Sequence, residues 1–149
     1  MKERIFIPLL SMLIAVGFAF AEPNCAPVSQ AHSSPQGKIV IANRASGTIS
    51  VIDAHSDTLI GTFALPAGPN APEPMYVVHS RKRVFVGDRA NSRVAVFDSR
   101  SFAVEGTIPA GAGVFHMWGD PLDRQLWVNN DIDKTATVID PITLEVLAS

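Results

Sequence analysis

The stretch V84-F-V-G-D-R-A-N-S-R-V-A-V-F-D98 decides the fold, because it occurs three times. Upstream stands I39-V-I-A-N-R-A-S-G-T-I-S-V-I-D53 and downstream L126-W-V-N-N-D-I-D-K-T-A-T-V-I-D140, both aligned without a gap. The closing residues Asp53, Asp98 and Asp140 are 45 and 42 positions apart. Self-similarity at that period marks a repeat architecture. Each copy holds an apolar, β-branched run, a turn opened by Asn43, Asp88 or Asn130, and a second β-prone run closed by the Asp. The runs I-V-I, V-F-V and L-W-V are apolar at every position, so both faces of the strand need cover.

Working outward, Thr58–Leu65 and Ala103–Ile108 are β-prone runs ended by Pro66-Ala67-Gly68 and Pro109-Ala110-Gly111. Met75–Val78 and Val114–Trp118 are apolar runs that open the second and third copies. The unit is therefore four short strands in about 42 residues, the size of a β-propeller blade, in which each sheet is sandwiched between two others. The expected fold is all-β, with antiparallel four-stranded blades over 38–72, 73–113 and 114–149. The first unit lacks an opening strand, and Leu147-Ala148-Ser149 aligns with the middle of the closing strands. About two and a half blades are present. Seven blades need roughly 300 residues, so an N-terminal piece of a longer protein is the expectation. Assembly of short chains into a ring through exposed blade faces is the alternative.

The N-terminus reads as an export signal over 1–21. Lys2 and Arg4 precede an apolar stretch from Ile5 to Phe20, and Ala19-Phe20-Ala21 places cleavage before Glu22. The apolar stretch is short for a membrane span, and no span is expected after cleavage. Residues 22–37, with Pro23, Pro27 and Pro35, read as a flexible linker. The lone Cys25 lies within it and has no intramolecular partner. The expected localisation is periplasmic or secreted. Removing Lys2, Arg4 and Glu3 takes the 12 basic and 14 acidic residues to 10 and 13, a net charge of −3. With no basic stripe, a nucleic-acid partner is not expected.

The repeats resemble the YVTN-type, or YncE-like, β-propeller family, on V-N-N130, T-V-I-D140 and T-I-P-A-G111. The resemblance covers 38–149. It implies a secreted or periplasmic propeller of seven blades, in a family mostly of unknown or binding function. Related propellers occur in nitrous oxide reductase and in haem-binding nitrite reductase.

Chemistry belongs where the copies differ. Phe115-His116-Met117-Trp118 opens the third unit's innermost strand, which lines the central channel. His116 could ligate a metal or haem and Met117 a soft metal. Adjacent strand residues face opposite sides, however, so both cannot reach one ion from a regular strand. The plain alternative has His116 hydrogen-bonded near the channel and Met117 packed between blades. Glu73, between Pro72 and Pro74, is the carboxylate expected at the channel mouth, where it could bind a cation or a polar ligand. Asn43, Asp53, Asp88, Asp98, Asn130 and Asp140 read as structural turn residues. Trp118 and Trp127 read as core residues, Arg81-Lys82-Arg83 as a solvated turn, and His79 as a turn residue aligned with Pro121. No catalytic motif and no required cofactor are visible. The expected function is an exported binding scaffold that takes a small molecule, peptide or protein at the channel mouth. The alternative is the propeller part of a metal- or haem-dependent redox enzyme.

Overall fold

The computed structural model describes residues 36–149. The expected signal peptide, and the expected linker except Gln36 and Gly37, lie outside the described residues. Among the described residues eleven strands follow one another: β1 (Lys38–Asn43), β2 (Thr48–Asp53), β3 (Thr58–Ala64), β4 (Pro74–Ser80), β5 (Arg83–Asp88), β6 (Arg93–Asp98), β7 (Val104–Pro109), β8 (Val114–Gly119), β9 (Leu126–Asn130), β10 (Thr135–Ile139) and β11 (Val146–Ala148). They form three antiparallel sheets in chain order, β1-β2-β3, β4-β5-β6-β7 and β8-β9-β10-β11. These are propeller blades. The opening strands β4 and β8 pack closely against each other, and the closing strands β7 and β11 do not pack to that extent. The opening strands are therefore innermost. Among the described residues, no helix is long and apolar enough to cross a membrane.

The V-F-V run shows why its residues are apolar on both sides. Val84 and Val86 face the first blade, in a core shared with Ile49, Val51, Ala95 and Phe97. Phe85 faces the third blade, with Val94, Val96, Val114, Met117 and Leu126. All three are at most 1% exposed. Each such side chain contributes roughly 1.5–3 kcal/mol of burial, so the two cores hold the three sheets together. Gly87 continues the strand because a Cβ there would stand 2.6 Å from Val114 Cγ1 of the next blade.

The turns between third and fourth strands are built alike. Asp53 accepts backbone N–H bonds from His55 and Ser56 at 2.9 Å. Asp98 accepts from Arg100 and Ser101 at 3.0 and 2.8 Å, and Asp140 from Ile142 and Thr143 at 2.7 and 3.1 Å. Bonds that favour the charged form hold all three carboxyls below their ordinary range, led by the backbone N–H of Ser56, Ser101 and Ile142 respectively.

Blades are also joined at their rims. Lys38 Nζ, opening β1, donates to the carbonyls of Ser99 and Arg100 at 3.4 Å. Arg83, at the equivalent place in β5, donates to those of Pro141 and Ile142 at 2.9 and 2.8 Å. Arg83 also meets Glu105 at 2.6 Å, and Arg81 donates to the Asp123 carbonyl at 3.1 Å. The basic run is thus not merely solvated, since two of its three members are tied to neighbouring acceptors.

Trp118 and Trp127 lie on the face of the third blade turned away from the second. They pair across β8 and β9 and stack with ring centroids 6.3 Å apart, but Trp118 is 51% exposed and Trp127 only partly buried. Period-two alternation explains this. Met117, Leu126 and Val128 point at the second blade, so the two Trp residues point to the opposite face.

Candidate functional site

The innermost strands carry the candidate site. Both β4 and β8 are bulged near their starts, between Pro74 and Val77 and between Val114 and Met117. A bulge places two residues opposite one and re-aims their side chains. Register through β5 and β9 makes Met75 equivalent to Phe115, Tyr76 to His116 and Val77 to Met117. The bulges leave Tyr76 42% exposed and His116 exposed. Their rings meet edge to face at 5.5 Å, and Phe115 packs against His116 at 4.3 Å. Arg89 lies over the Phe115 ring at 5.8 Å, within cation–π reach.

Met117 goes the other way. It is 1% exposed within the core between second and third blades. Its surroundings are apolar packing, and the structure does not bring it to the same face as His116.

Glu73 stands immediately before β4. Its carboxylate accepts Arg44 Nε at 2.6 Å, and the Arg44 Nη2 group completes the ion pair. Arg44 belongs to a short 3-10 turn, Arg44–Ser46, that follows β1 in the first blade. Arg89, its equivalent in the second blade's Arg89–Asn91 turn, donates to the Gly113 carbonyl at 3.3 Å and to Asp131 at 2.7 Å. Glu73 therefore meets a cation of its own chain, in a blade-to-blade link.

The residues opening those turns bond inward. Asn43 Nδ2 donates to Thr48 Oγ1 at 3.1 Å and Ser50 Oγ at 2.8 Å, and Asn130 Nδ2 to Thr135 and Thr137 at 3.1 and 2.9 Å. Blade two uses different chemistry. Asp88, fully buried, accepts Glu73 N, Asn91 Nδ2 and Arg93 Nε, each at 2.9 Å. Arg93 replaces the Thr, and Ala95 replaces the second hydroxyl residue.

Among the described residues, no group of three or more His, Cys, Asp or Glu could hold a metal ion. His116 stands beside aromatic rings. A metal centre there would need donors beyond those grouped around it.

Tyr76, Arg44 and Arg89 were not legible as site residues. The repeat offset between inner strands is 40, against 42 for the strands that follow. Carrying the offset of 42 inward misaligns them, which also put His79 in a turn. His79 is in β4, paired with Val84 and equivalent to Gly119. Comparing Pro74-Met75-Tyr76-Val77 with Val114-Phe115-His116-Met117 directly would have shown Tyr76.

No family model matches the chain, and no curated protein matches it. Solved structures do. Hydrazine synthase of Kuenenia stuttgartiensis superposes with a TM-score of 0.67 at 16% identity, over 74% of this chain and 31% of that one. The fold is that of a β-propeller. Dihydro-heme d1 dehydrogenase NirN, in complex with DHE, gives 0.62 at 15%, over 75% and 25%. A candidate 6-phosphogluconolactonase of Bacteroides fragilis gives 0.62 at 17%, over 72% and 33%. At these identities the likeness concerns architecture. The chain spans about a quarter to a third of the length of each.

Proposed function

We propose that this chain is part of an exported, YVTN-type binding scaffold, with its ligand-contacting surface on the innermost strands at Tyr76, Phe115 and His116. The observation that carries the reading is the exposed edge-to-face pair Tyr76–His116, aimed outward by bulges on adjacent inner strands. Exposed aromatic rings offer contact area at low conformational cost, and the imidazole adds a polar, orienting group. Small aromatic or amide-bearing groups, including peptide side chains, fit that chemistry. Glu73, ion-paired to Arg44, holds the blade joint beside the site. Export rests on the basic start, the apolar stretch and the Ala19-Phe20-Ala21 cleavage pattern.

The test is an NMR screen of the purified chain against small aromatic acids, dipeptides and monosaccharides. Shifts should cluster on Tyr76, Phe115 and His116 and vanish in Tyr76→Ala. Hits of equal strength in that variant would overturn the reading. N-terminal sequencing after expression in an exporting bacterium should begin at Glu22.

A further inference from the structure

The copies differ at a second place, at the opposite end of β4 from Tyr76. The turn Arg81-Lys82 follows β4. A cleft of about 580 Å³ opens there between the second and third blades, lined in part by Pro141 and Ile142. Its walls fall within residues 81–142. By register, Gln36-Gly37-Lys38 is the first blade's equivalent of Arg81-Lys82-Arg83, and Asp123-Arg124-Gln125 the third's. The bond to the next blade's carbonyls uses the last cation of the run, Lys38 or Arg83. Blade construction therefore does not call for Arg81 or Lys82. Glu105 likewise stands where the other copies have Ile60 and Leu147. Pro141-Ile142 stands where the seam between the first two blades has Ser99-Arg100.

The hydrogen bonds divide the cleft into two ends. At the inner end, the Asp123 carboxylate accepts the Ser80 hydroxyl and Arg81 N. Arg81 Nε goes to the Asp123 carbonyl at 3.1 Å. Both Arg81 Nη groups and Lys82 Nζ then have no acceptor among the described residues. Asp140, near enough to feel the Arg81 charge, closes its own turn and does not line the cleft. At the outer end, Arg83 commits Nε to Glu105 Oε2 and Nη1 to the Pro141 and Ile142 carbonyls. Glu105 keeps Oε1. Asp98 keeps Oδ2, because all three bonds of its turn fall on Oδ1. Donors are thus spare at the inner end and acceptors at the outer. Among the lining residues, two cations accompany one carboxylate inside, and one cation accompanies two carboxylates outside.

We propose that this cleft binds a small zwitterion of the dipeptide class, its carboxylate on Arg81 and Lys82 and its ammonium on Asp98 and Glu105. A guanidinium matches a carboxylate with two parallel bonds, and Lys82 adds a point charge. β5 and β7 lie two strand spacings apart, about 10 Å. A charge-assisted bond of about 2.8 Å at each end leaves about 4–5 Å between the ligand's charges. A dipeptide, with its Cα atoms about 3.8 Å apart, suits that span better than a single amino acid. Ile142, 55% exposed, offers apolar contact to a ligand side chain. This site is separate from the Tyr76–His116 surface and does not rest on the reading of it.

The probe is L-alanyl-L-alanine, titrated at low salt into the 15N-labelled full chain. Amide shifts at Arg81, Lys82, Glu105 and Ile142 should saturate with a Kd below about 5 mM. N-acetyl-alanyl-alanine and alanyl-alaninamide each lack one charge, and each should bind at least about fivefold more weakly. Lys82→Gln removes a head group that holds nothing in the chain. It should weaken binding to a similar degree and leave the urea midpoint unchanged. Glu105→Gln should weaken alanyl-alanine but not its acetylated form. Absence of saturation up to about 50 mM, undiminished binding of the acetylated peptide, or undiminished binding to Lys82→Gln would overturn the proposal. Shifts confined to Tyr76, Phe115 and His116 would overturn it too, while supporting the other surface.

Discussion

Replacing Asp88 by Asn tests how the second blade departs from its neighbours. Asp88 is fully buried and accepts three bonds at 2.9 Å, from Glu73 N, Asn91 Nδ2 and Arg93 Nε. An amide at position 88 keeps one oxygen for Glu73 N but sets an NH2 group against two donors. Asn91 is not free to turn over, because its Oδ1 accepts Asn70 N at 3.0 Å and its Nδ2 donates to the Asn70 carbonyl at 3.2 Å. The bonds from Asn91 and Arg93 are both lost, the charged one to Arg93 alone worth about 1.5–3 kcal/mol, and Arg93, with a side chain 14% exposed, is left without its counter-charge. Asp88→Asn should therefore cost about 3 kcal/mol in urea unfolding of the full chain. Adding Arg93→Thr rebuilds the amide–hydroxyl pair that joins Asn43 to Thr48 and Asn130 to Thr135. It sacrifices the Arg93 bonds to the Pro66 and Ala67 carbonyls, roughly 1 kcal/mol each. The double variant should still be more stable than Asp88→Asn alone, with a coupling energy of at least about 1 kcal/mol. A single-variant cost under about 0.5 kcal/mol, or a double variant no more stable than the single, would refute the coupled reading.

Acid should destabilise the blades through Asp53, Asp98 and Asp140. Their folded-state carboxyls titrate lower than in the unfolded chain, so their contribution is complete above the unfolded value near about 4. It disappears as pH falls through the folded value. Asp98→Asn should flatten the dependence of stability on pH below about pH 4, and an unchanged slope would count against these turns as its source. Met117→Ala should cost about 2–5 kcal/mol as a core truncation, while His116→Ala stays within about 0.5 kcal/mol, both read by thermal or urea unfolding. Equal costs would contradict their opposite placement.

The architecture was legible in Val84–Asp98 because packing on two sides imposes an apolar residue at every position of the strand, and three copies repeat the constraint. The blade turns were legible because a short carboxylate after a strand has one common use. The site was less so. Whether Trp118 and Trp127 are covered depends on which face of the third blade has a neighbour, and alternation alone does not say. The partnership of Glu73 with Arg44 spans two blades, 29 positions apart, and arises from stacking rather than from local pattern. Tyr76 was hidden by a bulge together with a shorter repeat offset, which shifts an alignment anchored on the Asp residues. Arg93 was hidden as one basic residue among several, although Ala95 in place of a hydroxyl residue was a trace of the altered pairing.

The bonds by which Lys38 and Arg83 reach the next blade end on peptide carbonyls rather than on side chains. Every amino acid in the receiving turn brings such an oxygen, so Ser99-Arg100 and Pro141-Ile142 serve equally despite sharing no residue. A joint of this kind is blind to the sequence it grips. Blades of this pattern can be duplicated, exchanged or allowed to drift at the turn without a compensating change across the seam, and the turn residues stay free to acquire other work.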